Sequence, residues 1–424
     1  MNVLLLAYGS LGDIQPFVAL GAALDRAGHK AVVAAPARFE AFVTGYGLPF
    51  APLSNALVDL ADTPELRASR EGAAGRAGLA WVDALRSGQD AATSVLEDSW
   101  AAAAFGPDLV VHHPITAGHH IAEKLGVPSV LASPQPTYVP TDAFPCGLVT
   151  TPSWLPPAFN RFTYTLLGLS GRLLEAPTER WRSRVLGLPR RRNRHNPLLA
   201  PDGSHVTVLN AFSRHVFPPA PDWPESVHTT GYWFLPAGQD WTPPAGLAAF
   251  LAQGPPPVCV TFGSTVGEDP QRSARLVLEA VRLAGVRAVL VSGWGGLVAD
   301  DLPPNTHLAQ HVPFDWLLPQ VAAVVHHGGG GTSAAAVAAG RPQVACPFGV
   351  DQPLWSATMH RLGVAPPPLP QRVLTAPALA EAIRVAATDP AMARRAARLA
   401  ELVNAEDGPA EAVRVLERLL PHRA

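Results

Sequence analysis

The stretch Val324-Val325-His326-His327-Gly328-Gly329-Gly330-Gly331-Thr332-Ser333 limits what this chain can fold into more than any other. An apolar run, two histidines, four glycines and a Thr-Ser pair before an Ala-rich segment read as a strand, a tight turn and a helix N-terminus. Glycines let the backbone come close to a ligand, and the unpaired N–H groups and dipole of a first helical turn favour an anion, so the element predicts a phosphate site. A helix entry of purely structural use looks the same, and glycines alone do not separate the two. Thr332 is placed to cap the helix or to donate to the anion, and His327 to add a hydrogen bond or a positive charge. Gln343 to Phe348 reads as the next strand of the same sheet, with Asp351 and Gln352 at its end. A carboxylate and an amide together suit sugar hydroxyls, since one accepts and the other both accepts and donates.

The same alternation runs through the rest of the chain. Val3 to Tyr8 reads as a buried strand, Gly9 to Asp13 as a turn, Ile14 to Ala27 as a helix with Pro16 tolerated in its first turn, and Ala31 to Ala35 as a second strand. Arg38 to Tyr46 and a longer segment from Leu60 to Ala104, broken by glycines around Gly72 to Gly78, read as helical. Asp108 to Val111, Thr116 to Leu125 and Ser129 to Ala132 continue as strand, helix and strand. Between Ser133 and Pro157 prolines and aromatics crowd together, among them Tyr138, Phe144 and Trp154, and this stretch is expected to form one wall of an apolar pocket. Phe159 to Leu186 is expected to be helical, and the arginines from Arg180 to Arg194 to lie on a solvated loop. Prolines and tryptophans mark 218–257 as a linker. A second alternation opens with Val258 to Phe262 and Gly263-Ser264, matching Gly9-Ser10, and continues through helix Pro270 to Ala284 and strands Ala288 to Val291, Ala322 to Val325 and Val344 to Pro347. At 424 residues the chain is too long for one ordinary core. The expected fold is α/β, with two Rossmann-like doubly wound domains, 1–217 and 258–424, facing across a cleft.

Composition excludes several functions. With 32 basic and 34 acidic residues the net charge is −2, which supplies no field for nucleic acid. Cys146, Cys259 and Cys346 are far apart without CxxC spacing, so neither a disulfide framework nor a zinc site is expected, and a reducing cytoplasm is. The apolar start is too short and uncharged for a signal peptide, and no window is long and apolar enough to span a membrane. His112, His113, His119 and His120 flank a strand-to-helix junction. Adjacent residues of a strand point to opposite faces, which argues against a shared metal and leaves one of them to line the cleft.

The glycine turn with Asp351-Gln352 beyond it resembles the donor-binding signature of the GT-B nucleotide-sugar glycosyltransferases. The opening Gly9-Ser10-Leu11-Gly12-Asp13 is not GxGxxG, which argues against a dehydrogenase, and it resembles the corresponding turn of the antibiotic and sterol transferases. Ile121-Ala122-Glu123-Lys124-Leu125-Gly126-Val127-Pro128 and Thr141-Asp142-Ala143-Phe144-Pro145 are similar to the sterol group. The resemblance implies an inverting enzyme that moves a hexose from a UDP- or dTDP-sugar to a hydroxyl of a lipophilic acceptor such as a sterol, macrolide, polyketide or polyphenol, without metal or other cofactor. It implies a donor site from Ser264, His311, Val312, His327, Gly329, Gly331, Thr332, Asp351 and Gln352, and a last helix that returns to the first domain. Plant members carry Trp where His311 stands, so base stacking is expected to differ here. Trp294 either borders the nucleotide or fills core. The acceptor is expected against His112, Pro134, Tyr138 and Phe144, a wall that could also touch membranes transiently to fetch it.

Asp13 has two readings. As the residue directly before a helix it suits an N-cap; as the general base it would take the acceptor's hydroxyl proton. A bound apolar acceptor would raise its basicity and the helix N-terminus would lower it. The resemblance favours the base. An epimerase of the same fold would lack a wide apolar pocket, and a non-catalytic nucleotide-sugar-binding protein would be expected to have lost Asp13 or the glycine turn.

Overall fold

A computed structural model of the chain describes residues 1–63, 77–147, 156, 158–171, 175–190, 193, 195–238, 241–262, 270–292, 302–310 and 312–420. They fall into two compact units, one from 1–235 together with 406–420 and the other from 236–405.

The first unit is built on strands β1 Asn2–Leu6, β2 Lys30–Pro36, β3 Phe50–Leu53, β4 Leu109–His112, β5 Ser129–Ser133, β6 Thr207–Asn210 and β7 Val227–Thr229. All pair in parallel, in the order β3-β2-β1-β4-β5-β6-β7. A central parallel strand is covered on both faces, which is why Val3–Leu6 of β1 and Leu109–Val111 of β4 are continuously apolar rather than alternating. Their side chains divide by parity. Val3 and Leu5 join Phe17, Val33 and Leu209 on one face, whereas Leu4 and Leu6 join Val95, Leu96, Ile121 and Trp181 on the other.

The helix Leu11–Arg26 returns the chain from β1 to β2 and buries Ile14, Phe17, Val18, Leu20 and Leu24. It starts earlier than the expected Ile14, because Ser10 is its N-cap and Asp13 sits inside its first turn. The expected helix Phe159 to Leu186 is two helices, Ala158–Gly171 and Glu175–Arg184, and Leu60 to Ala104 is represented by Ala56–Ala61 and Ala77–Ala101. The stretch 218–257 holds regular structure as well: β7 extends the sheet beyond β6, and Ala245–Ala252 is a helix that buries Leu247. A three-residue strand flanked by prolines carries too little period to be seen in a sequence.

The helix Gly408–Glu417 lays Ala412, Val413, Val415 and Leu416 into the same core as Phe17 and Val18. Asp407 caps it, accepting from the N–H of Ala410 at 3.2 Å. It enters through Gly408, packed so closely on the backbone of Gly231 and Tyr232 that an added Cβ would lie 2.4 Å from the Tyr232 carbonyl oxygen.

The second unit has five parallel strands, β8 Val258–Thr261, β9 Ala288–Ser292, β10 Thr306–Gln310, β11 Ala323–His326 and β12 Gln343–Ala345, in the order β10-β9-β8-β11-β12. Helices Pro270–Ala284 and Ala376–Thr388 cover one face around Val260, Leu290, Val325 and Ile383. Leu247, Val289, Leu317 and Val324 form the core of the other. Among the described residues no helix is long and apolar enough to cross a membrane.

Gly408→Ala is expected to destabilise the protein by ~1–3 kcal/mol, because the added methyl meets backbone that cannot rotate away. Gly238 has nothing within 4 Å of the same position, so Gly238→Ala serves as the control. Denaturant midpoints of the two variants check this, and equal midpoints would show that the Gly408 contact yields.

Candidate active site

In each sheet the strand order reverses beside the first strand, between β1 and β4 in one unit and between β8 and β11 in the other. Ligands of open α/β sheets bind beyond the carboxyl ends at such reversals.

In the first unit the loops leaving β1 and β4 bring Asp13 and His113 together. Gly9, at φ +136°, turns the chain so tightly that an added Cβ would lie 2.4 Å from Asp13 Oδ2. Asp13 Oδ2 accepts from the Ser10 backbone N–H at 2.8 Å and from the Ser10 hydroxyl at 2.9 Å, one half of a capping box. Its other oxygen, Oδ1, accepts from Gln135 Nε2 at 3.0 Å. His113, the residue after β4, places Nε2 3.9 Å from the same Oδ1. His113 is 3% exposed, and neither ring nitrogen makes a hydrogen bond. Phe17 and Tyr138 meet the ring edge to face at 6.2 and 6.4 Å and hold its orientation. Burial lowers the His113 pKa while the Asp13 charge acts against it, so a neutral imidazole stands beside an oriented carboxylate. Such a pair can accept a proton from a hydroxyl.

His112 is not brought to this group. It is fully buried on the opposite side of β4, its Nε2 3.2 Å from Ser129 Oγ and its ring 5.6 Å from that of His119. His120 belongs to another buried network, with Arg182 Nη1 2.9 Å from its Nδ1 and the same guanidinium paired with Glu123. Of the expected acceptor residues, Tyr138 adjoins His113, and Pro134 precedes the Gln135 that binds Asp13. Phe144 lies at the far end of the loop, edge-on to Phe217 and Trp223 at 5.9 and 5.8 Å. His113, Gln135 and Ser10 are the participants that sequence reasoning did not single out; strand parity shows that one of His112 and His113 faces the crevice, but not which.

In the second unit β11 runs into the turn and the helix Gly330–Ala338, whose N-cap is Gly329. The first intrahelical bond is Ser333 N–H to the Gly329 carbonyl, which leaves the N–H groups of Gly330, Gly331 and Thr332 without intrahelical partners. His326 braces the turn: its Nδ1 is 3.0 Å from the Gly328 N–H and its Nε2 2.9 Å from Gln343 Oε1. Side chains crowd three of the four glycines. An added Cβ would lie 2.3 Å from Ser356 Oγ at Gly328, 2.3 Å from His327 Nε2 at Gly329 and 2.9 Å from the Trp355 ring at Gly330, whereas Gly331 is open and exposed. His327 therefore lies across the turn, its Nδ1 buried without a hydrogen bond and its pKa pulled down to about 4 by burial.

Asp351 and Gln352 are at the start of the helix Gln352–Arg361 rather than at a strand end, because β12 stops at Ala345 and Pro353 begins a new helix. Asp351 Oδ2 accepts from Trp355 Nε1 at 3.0 Å, and Gln352 Oε1 accepts from the Phe348 N–H at 2.8 Å. Val350 precedes them at φ +59°, a left-handed conformation that costs a β-branched residue ~1–2 kcal/mol. Thr332 is buried in the first turn of its helix, and Val312 is buried in the core. Ser264, His311 and Trp294 lie outside the described residues.

Two parallel sheets, each with polar groups gathered at its reversal, define the two-domain GT-B architecture. Residues 3–141 match the family model described as glycosyltransferase family 28 N-terminal domain, and residues 292–419 that described as erythromycin biosynthesis protein CIII-like, C-terminal domain. Over 431 residues, 98% of this chain and 97% of the other, the sequence is 36% identical to the O-mycaminosyltylonolide 6-deoxyallosyltransferase of Streptomyces fradiae. It is 34% identical over 448 residues to a sterol 3-beta-glucosyltransferase of Emericella nidulans, of which the whole chain spans 30%. The crystal structure of the glycotransferase of kitacinnamycin superposes with a TM-score of 0.71 over 99% of both chains at 23% identity, a likeness of fold. The chain belongs to the GT-B glycosyltransferases of family 1, the family of the sterol glucosyltransferases and the macrolide glycosyltransferases.

Burial holds three histidines neutral, with pKa values drawn down to about 4 for His112, about 3 for His326 and about 4 for His327. Unfolding returns each to ~6.5, so the unfolded chain binds the extra protons. Stability is then complete above pH ~6.5 and falls as the pH drops toward the folded-state values, by up to ~1.4 kcal/mol per pH unit for each histidine. The unfolding midpoint is expected to be level from pH ~7 to ~8 and to drop steeply from pH ~6.5 to ~4. A midpoint flat across that lower window would mean that the histidines are charged in the folded protein.

Proposed function

We propose that the protein is an inverting glycosyltransferase that moves a hexose from a UDP- or dTDP-sugar to a hydroxyl of a lipophilic acceptor, with Asp13 as general base. The observation that carries this reading is the state of the Asp13 carboxylate. It has about four lone-pair positions, and three accept hydrogen bonds from Ser10 and Gln135. The fourth is on Oδ1, the oxygen nearer His113. An acceptor hydroxyl hydrogen-bonded there passes its proton to Oδ1 as its oxygen attacks the anomeric carbon; the bond from that carbon to the diphosphate breaks, and attack opposite the leaving group inverts the centre. Three hydrogen bonds hold the Asp13 carboxylate in a fixed orientation. The neutral His113 beside it disperses the proton's charge without adding a positive charge beforehand.

The departing diphosphate suits the second unit. The N–H groups of Gly330, Gly331 and Thr332 supply fixed dipoles, and His327 Nδ1 is a buried group in need of a partner. Asp351 and Gln352 fit the sugar hydroxyls, and Ser264 and His311 complete the proposed donor set. No metal is required, because backbone dipoles and a histidine meet the diphosphate. The relatives named for sterol and O-mycaminosyltylonolide acceptors support a large lipophilic acceptor against Pro134, Tyr138 and Phe144. Cys146, Cys259 and Cys346 are buried and in no disulfide, which suits a reducing compartment such as the cytoplasm.

Asp13→Asn keeps an oxygen to accept from Ser10 but cannot take a proton. Turnover is expected to fall by ~10²–10⁴ while the melting temperature and the affinity for nucleoside diphosphate stay near wild type. Near-wild-type turnover would remove Asp13 as the base. His327→Ala is expected to weaken nucleoside diphosphate binding ~10–100-fold, the worth of one hydrogen bond to a charged group. Titration calorimetry with UDP and dTDP measures it, and unchanged affinity for both would detach His327 from the donor.

A further inference from the structure

The wall beside Asp13 contains no helix or strand from Pro134 to Gly147, so its shape depends on what grips it. At the near end Gln135 reaches Asp13, and its backbone N–H donates to Ser133 Oγ at 3.2 Å. At the far end one carboxylate, that of Asp222, holds two successive residues. Its Oδ1 accepts from the Thr141 hydroxyl at 2.5 Å and its Oδ2 from the Asp142 N–H at 3.0 Å. Arg161, on the helix Ala158–Gly171, donates to the same Oδ2 from Nη2 at 2.7 Å and to Asp142 Oδ1 from Nε at 3.4 Å. Asn160 of that helix adds a bond to the Asp142 carbonyl at 2.9 Å. The neighbour of Asp222, Trp223, donates from Nε1 to the Val139 carbonyl at 3.3 Å and meets the Phe144 ring at 5.8 Å. Two segments distant in sequence, Thr141-Asp142 and the helix Ala158–Gly171, converge on Asp222.

We propose that Asp222 is the positioning residue that sets acceptor selectivity, by fixing the Tyr138-to-Phe144 wall at the distance from Asp13 that presents one hydroxyl of a bulky acceptor to the base. The proposal rests on the reading of this wall as the acceptor's. A single surface ion pair contributes little, but three donors on one carboxylate act as a unit, and losing the carboxylate releases all of them together. The side chains of Arg161 and Asp222 are 52% and 30% exposed, so the grip weakens as salt rises. Asn at 222 keeps one accepting oxygen and turns an NH₂ group toward a donor, which breaks the pattern without changing size.

The test uses the full chain with UDP-glucose and dTDP-glucose as donors and a sterol, a macrolide and a small phenol as acceptors. For Asp222→Asn the sterol or macrolide KM is expected to rise ~10-fold with kcat changed by less than ~3-fold, while preference over the small phenol falls ~10-fold. UDP and dTDP affinity stays unchanged. In the wild type the bulky-acceptor KM rises with salt, and in the variant that dependence is lost. A purely structural role would lower the melting temperature and the active fraction without moving KM or preference, and that result overturns the proposal. Tyr138→Ala separates the two levels of the argument. If it leaves the acceptor KM unmoved, the wall is not the acceptor's and the role of Asp222 falls with it; if it raises KM and Asp222→Asn does not, only the positioning role fails. A wild type that binds UDP or dTDP yet transfers to none of the acceptors refutes the transferase reading itself.

Discussion

Parallel strands have no hairpin to close their carboxyl ends. Where a sheet runs outward in both directions from a central pair, the connections leave toward opposite faces and a crevice opens between their loops. β1 and β4 form that pair in the first unit, β8 and β11 in the second. The proposed chemistry follows from this geometry. Asp13 is where it is because the chain leaving β1 must turn sharply into a helix; His113, because the chain leaving β4 emerges beside it; and the glycine turn, because the chain leaving β11 does the same in the other sheet. The apolar interiors of the central strands fix these exits, since a slip of one residue would exchange the two faces of a sheet buried on both sides.

The two units solve one local problem in the same way. β4 and β11, each the fourth strand of its sheet, both end in a histidine that a second histidine follows. The first histidine of each pair is wholly buried and tied to its own unit, His112 to Ser129 and His326 to Gln343. The second emerges at the crevice with a ring nitrogen that has no partner. The buried member fixes the strand's last residue, and through it the direction of the next side chain. A neutral imidazole suits both places, because it can gain a proton or donate one at little cost in reorganisation.

Much of this was legible in the sequence because the elements that matter most have the strongest patterns. β1, β4, β8 and β11 each contain a continuous apolar run, and the glycines before Thr332 announce a helix entry. The elements that escaped notice were short: β3, β6 and β7 have three or four residues and β10 only five, set among prolines and polar residues, where period-2 and apolar-run signals are weak. Pro and Trp after Phe217 conceal the paired strand β7 in the same way. Asp13 suits an N-cap by its place before an apolar run, but Ser10 takes that position, a choice made by backbone angles that composition does not reveal. The bond between Asp13 and Gln135 joins residues 122 positions apart, and no local pattern encodes such a meeting. Four histidines were open to the cleft from sequence, and which one meets Asp13 depends on the face of β4 that fronts the crevice.

The helix Gly408–Glu417 bears on how the protein comes to be folded at all. Its buried side chains, Ala412, Val413, Val415 and Leu416, complete a core whose other members lie between Val3 and Trp233. Ribosomes deliver the chain from its amino end, so every residue of the second unit is made before the first can be finished. Until then one side of the helix Leu11–Arg26 lacks its cover, and the nascent first unit presents apolar surface to the chaperones it meets. The second unit, whose described residues all lie between 236 and 405, has no such wait, so the half that begins first is the half that matures last.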